Sequence, residues 1–83
     1  MVTVFKQDGL SFRVFPNDHL PSHVHVFKAG GEARIEIAGK DGKAHAITNN
    51  GLNRKDLAKA VALVQENQAL LLQKWSEYHG EIH

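Results

Sequence analysis

Three of the chain's six histidines fall between Asn17 and His25, in the run Asn17-Asp18-His19-Leu20-Pro21-Ser22-His23-Val24-His25. The imidazole side chain titrates nearest neutrality, and its neutral ring is the commonest metal ligand in proteins. In an extended strand, His23 and His25 point to the same face, close enough to share one ion. A strand-borne His-x-His is a zinc arrangement that needs a further ligand from elsewhere. His19, His45 and Glu36 are the candidates for it. His19, His23 and His25 form the first candidate set for a divalent metal such as zinc. A second chemistry needs no metal: one neutral and one protonated histidine act as general base and general acid in cleaving RNA. Arg34 or Lys28 would then stabilise the phosphate charge, and Glu36 would orient His25. The catalytic candidates are therefore His19, His23, His25, Arg34 and Glu36. A third reading is structural: His19 closes a turn, and His23 and His25 are solvated on the open face of a half-buried sheet.

These residues must be positioned by strands. Residues 2–6 and 10–15 flank Gln7-Asp8-Gly9, and Asp-Gly is a strong hairpin signal. With that turn, Phe5 faces Phe12 and Thr3 faces Val14. Residues 23–29 and 32–38 flank Gly30-Gly31, which predicts a second hairpin with Val26 opposite Ile35 and Val24 opposite Ile37. His23, His25, Phe27, Arg34 and Glu36 then share the other face, with Glu36 opposite His25. Asp41-Gly42 predicts a third hairpin, to residues 44–48, pairing Ile37 with Ala46 and setting Ala38 between His23 and His45. Gly30-Gly31 is not a phosphate loop, because no lysine follows at the required spacing and no helix begins there.

The second half is helical. Asn53 is a good N-cap, Asp56 stands where a capping-box acid would, and Leu52 and Leu57 take the staple positions. Leu57, Val61, Val64, Gln68, Leu71, Trp75 and Tyr78 recur at spacings of three and four, and Gly80 is a natural stop. Unbroken, this helix spans about 26 residues or roughly 39 Å. The strands reach only roughly 17 to 23 Å. The helix must therefore bend, split near Gln65-Glu66-Asn67-Gln68, or project. A projecting Leu70-Leu71-Leu72 and Trp75 would want a partner, which predicts a homodimer or a complex with a small protein.

The 83 residues carry ten basic and nine acidic side chains, a net charge of +1, so no general electrostatic footprint for nucleic acid exists. Lys40, Lys43, Arg54, Lys55 and Lys59 read as a solvated rim. His79 stands near a helix C-terminus, where the dipole favours an imidazolium, and His83 falls at the chain end. The absence of cysteine excludes disulfides and thiolate metal sites and is compatible with a reducing compartment. No secretory-type apolar segment and no membrane-length apolar run is present, so the expectation is a cytoplasmic protein without membrane contact. Length implies a single domain over residues 1–83.

The residues Thr3-Val4-Phe5, the run Asn17 to Val26, Gly31-Glu32-Ala33 and a helix ending in Trp75 resemble a family of short bacterial proteins known as domain of unknown function DUF4160. The Asn-acid-His-x-Pro-x-His-x-His core is the most specific part. Ser22 stands where the family often has a second proline. The resemblance implies a compact domain of strands followed by a helix, of a kind suspected in toxin–antitoxin-type gene pairs. It implies no catalytic mechanism. The expected architecture is α+β: a small antiparallel sheet of about five strands in hairpins, with a long C-terminal helix packed on one face. The expected function is a toxin–antitoxin-type module with a histidine site, ribonucleolytic or metal-binding. The alternative is a non-enzymatic interaction module that pairs through its C-terminal helix.

Overall fold

The computed structural model describes residues 2–16 and 18–79. Asn17, the helix stop expected at Gly80, and His83 lie outside the described residues. Five strands form one antiparallel sheet in sequential order: β1 (Val2–Gln7), β2 (Leu10–Val14), β3 (His23–Lys28), β4 (Gly31–Glu36) and β5 (His45–Asn50). Two helices follow, α1 (Arg54–Glu66) and α2 (Gln68–His79).

The first hairpin turns on Asp8-Gly9, both with positive φ (55° and 80°), the combination a tight two-residue turn demands. Phe5 pairs with Phe12 as expected, but a bulge between Thr3 and Phe5 moves Thr3 opposite Arg13 and brings Val2 opposite Val14. The second hairpin turns on Ala29-Gly30 (φ 48° and 86°), not on Gly30-Gly31. Gly31 is wanted elsewhere: a Cβ there would lie 2.7 Å from the backbone of Gly51. Moving the turn by one residue slides the β3–β4 register by two, so Val24 pairs with Ile35 and His25 with Arg34. A two-residue slide preserves faces and changes partners. Glu36 is therefore opposite His23 rather than His25. The β4–β5 pairing also contains a bulge, between Arg34 and Ile35, and joins Glu36 to His45 and Ile35 to Ala46. Glu36, not Ala38, lies between His23 and His45.

One face of the sheet carries the core. Phe12, Val14, Val24, Val26, Ala33, Ile35 and Ile37 are buried in one cluster with Ala60, Leu63, Val64, Leu71 and Trp75, and half-buried Leu57 and Val61 pack against it. Asn53 caps α1 by accepting a hydrogen bond from the Asp56 amide at 2.7 Å.

The expected long helix is two helices. The chain leaves helical geometry at Asn67 (φ −112°, ψ 23°), whose side chain donates to the Leu63 carbonyl and whose own carbonyl receives the Leu71 amide. Gln68 then donates from Nε2 to the carbonyls of Ile37 and Gly42. These polar ties hold the break against the sheet. With 13 and 12 residues, α1 and α2 are each roughly 20 Å long, matched to the strands. Consequently Leu71 and Trp75 return to the chain's own core, at 0% and 1% exposure, instead of projecting. None of the described helices is long and apolar enough to cross a membrane.

Candidate metal centre

The open face of the sheet begins β3 with His23 and His25, and both rings are buried, at 6% and 8% exposure. Solvated histidines were the structural expectation; here the loop before β3 covers them. The chain leaves β2 at Val14, places Phe15 over the His25 ring at 4.2 Å, and returns through Asp18 and the cis Leu20–Pro21 peptide. The Ile37 amide donates to the Ser22 carbonyl at 3.0 Å and fixes the re-entry to the sheet.

This path brings the Asp18 carboxylate onto both imidazoles. Its Oδ2 is 2.8 Å from His25 Nε2 and 3.1 Å from His23 Nε2. One donor atom from each of Asp18, His23 and His25 lies within 4.8 Å of the other two. In a tetrahedral zinc site, with ligands at about 2.0–2.2 Å, neighbouring donors stand roughly 3.3 Å apart. The two carboxylate–imidazole distances, 2.8 and 3.1 Å, are near that spacing.

The opposite ring nitrogens settle how the donors face. His23 Nδ1 is 2.8 Å from the Pro21 carbonyl, which can only accept, so Nδ1 carries the proton and donates. In the neutral ring the Nε2 lone pair then faces Asp18. The contact is out of line for a hydrogen bond, and His23 Nε2 is buried without one. His25 Nδ1 is 2.7 Å from Glu32 Oε2, again an acceptor. Its Nε2 meets a second acceptor, Asp18 Oδ2. A neutral imidazole donates to one of them only. Either a second ring proton or a cation among the three atoms reconciles the acceptors. Backbone carbonyl and carboxylate partners on the far ring nitrogens are the outer-shell contacts that orient metal-ligating histidines.

The other predicted residues are placed apart. His19 is exposed and is not among the converging side chains. Arg34 is exposed and donates from Nε to Thr48 Oγ1 at 3.2 Å. Glu36 Oε1 lies 2.9 Å from His45 Nε2, a separate pair one row along the sheet. Lys28 pairs with Asp56 at 2.9 Å, far from any role beside the histidines. The strand pair His23 and His25 is thus retained, Asp18 takes the place expected of His19, and Glu32 takes the orienting role expected of Glu36. Asp18 carried one signal in the sequence, an acid set between two turn residues just ahead of Pro21. Glu32 lies on the diagonal from His25 and needed the true register to be seen.

Further rings enclose the triad. Beyond Phe15 and the two imidazoles, Trp75 approaches His23 at 5.3 Å between ring centroids and stacks on His79 at 3.8 Å. His79 Nε2 donates to the Phe15 carbonyl at 3.1 Å, tying the end of α2 to the loop that supplies Asp18.

The model for the family described as domain of unknown function DUF4160 matches residues 9–76. That span holds every strand after β1, both imidazoles, Asp18, Glu32 and Trp75. The chain belongs to this family. No match was found among curated proteins or among solved structures.

Proposed function

We propose that this chain is a divalent-metal-binding domain, zinc being the first candidate, with Asp18, His23 and His25 as its protein ligands. The convergence of two imidazole Nε2 atoms and one carboxylate oxygen, each ring already held through its other nitrogen, carries the reading. Three protein ligands are the pattern of zinc sites that keep a position for water or substrate. A metal at such a position activates water and polarises a phosphoryl or carbonyl oxygen. The working setting we propose is that of a small bacterial, cytoplasmic toxin–antitoxin-type module with a small protein partner, in which RNA is the substrate class to test.

The metal-free acid–base alternative is less favoured. His25 has both ring nitrogens engaged by carboxylates, and a general acid or base must reach the proton it transfers. The purely interactive reading through the C-terminal helix loses its main ground, since Trp75 is consumed by the core.

Calorimetric titration with zinc tests the proposal. One ion per chain should bind to the wild type, and Asp18→Asn should weaken binding strongly while keeping the fold. Histidine removal is a poorer test, because His23 and His25 are packed. Zinc-dependent cleavage of a short RNA, lost in the same variant, would support the hydrolytic form. Equal zinc binding by wild type and Asp18→Asn would overturn the site.

A further inference from the structure

We infer that the metal in this site carries an exchangeable oxygen ligand, and that the indole N–H of Trp75 is the protein group that recognises that oxygen. The inference rests on the metal reading above and goes beyond it by naming the ligand class. Trp75 is the chain's single tryptophan and is 1% exposed. Among the described residues its Nε1 is a buried donor with no acceptor. Leaving a buried donor unsatisfied costs enough that each such group in a native protein calls for an explanation.

A second orphan lies on the neighbouring ring. In the neutral ring, His23 Nε2 is a buried acceptor without a donor, and the two rings are 5.3 Å apart. A metal ion satisfies the His23 lone pair and can do nothing for an N–H. An oxygen bound to that metal accepts from the N–H. One occupant, a cation with its oxygen ligand, therefore resolves both orphans. The indole ring is held in place by His79, which stacks on it at 3.8 Å and is itself fixed by the Phe15 carbonyl. The ligand class is an oxygen acceptor bearing negative charge, such as a metal-bound hydroxide or an oxygen of a phosphate or carboxylate. The partly exposed Asp18, with 22% of its side chain accessible, gives the approach for exchange.

A 15N-labelled sample reads this directly, because one tryptophan gives one indole N–H signal. Zinc is added first, then inorganic phosphate or, in a parallel sample, acetate. Saturation by zinc is followed independently on the ring protons of His23 and His25. The expected result is a downfield move of the indole proton with zinc, and a further move with the anion that binds. A response to phosphate alone identifies phosphoryl oxygen as the ligand, and a response to acetate alone identifies carboxylate. Trp75→Phe should retain zinc affinity and lose anion affinity by about tenfold or more, as for a hydrogen bond to a charged acceptor. Should that variant fail to fold, the wild-type titration decides alone. Histidine signals that report zinc saturation while the indole proton stays unmoved in zinc, phosphate and acetate would overturn the inference and leave the metal site standing. Histidine signals that do not respond to zinc would overturn the metal reading, and this inference with it.

Discussion

Asp18 joins the site through a single oxygen, and its contribution is separable from folding. It is the only one of the three proposed ligands with appreciable exposure, and asparagine keeps its shape and one acceptor oxygen. Glu32 acts one step back. Its carboxylate accepts from His25 Nδ1 at 2.7 Å, so Glu32→Gln should leave the triad in place and lower zinc affinity by roughly 10- to 100-fold, the usual scale for an outer-shell partner. Competition with a chromogenic chelator measures that ratio. An unchanged affinity would show that Glu32 does not orient the ring. His19→Ala and Arg34→Ala serve as controls; both residues are exposed, and affinity should stay within about twofold. The same scale shows where sequence reading stops. Alternation along a strand placed His23 and His25 on one face, and that holds. Asp18 comes from a loop, where no period relates a side chain to a face, so only the turn-forming neighbourhood hinted at it.

The register of β3 against β4 decides which acid meets His25. Ala29-Gly30 forms the turn because Gly31 is pressed against Gly51, whose own φ of +105° needs glycine. Close approach between two backbones leaves no trace in a hydrophobic pattern. A two-residue slide also leaves that pattern intact, which is why the faces were legible and the partners were not. Gly31→Ala should therefore destabilise the domain clearly, since the added carbon meets Gly51 backbone at 2.7 Å rather than a flexible side chain. A thermal melt equal to wild type would show that the sheet edge yields. Ile35→Asp places an unpaired charge at 0% exposure between sheet and helices and should abolish cooperative melting. The helical half was legible in its cap, its stripe and its length. Asn53→Ala should cost about 1 kcal/mol by chemical denaturation, the usual value of an N-cap. The mismatch between a helix of about 26 residues and short strands required a bend, a split or a projection. The split at Asn67 is chosen by tertiary bonds from Gln68 to Ile37 and Gly42, which local sequence does not encode.

On the scale of the whole molecule, the break in the helix changes the expected association. Self-association was expected because Leu70, Leu72 and Trp75 could not all reach one core. Trp75 is buried, Leu72 is partly buried against the core, and among the described large apolar side chains only Leu20, Ile47, Leu70 and Tyr78 are exposed. They are dispersed over loop, strand and helix, and single exposed apolar residues are ordinary. The chain alone should sediment as a monomer at micromolar concentration, and a stable dimer would contradict this. The proposed metal centre joins three parts of the fold: the loop carrying Asp18, the start of β3, and the end of α2 through Trp75 and His79. An ion bound only in the folded state raises its stability in proportion to the logarithm of ion concentration over the dissociation constant. Zinc should therefore raise the melting temperature of the wild type and leave Asp18→Asn nearly unchanged. The most direct measurement remains calorimetric titration of the folded chain with zinc. One ion per wild-type chain, with binding strongly weakened in Asp18→Asn, is the result predicted; no binding to the wild type, or equal binding to both, would contradict the metal centre.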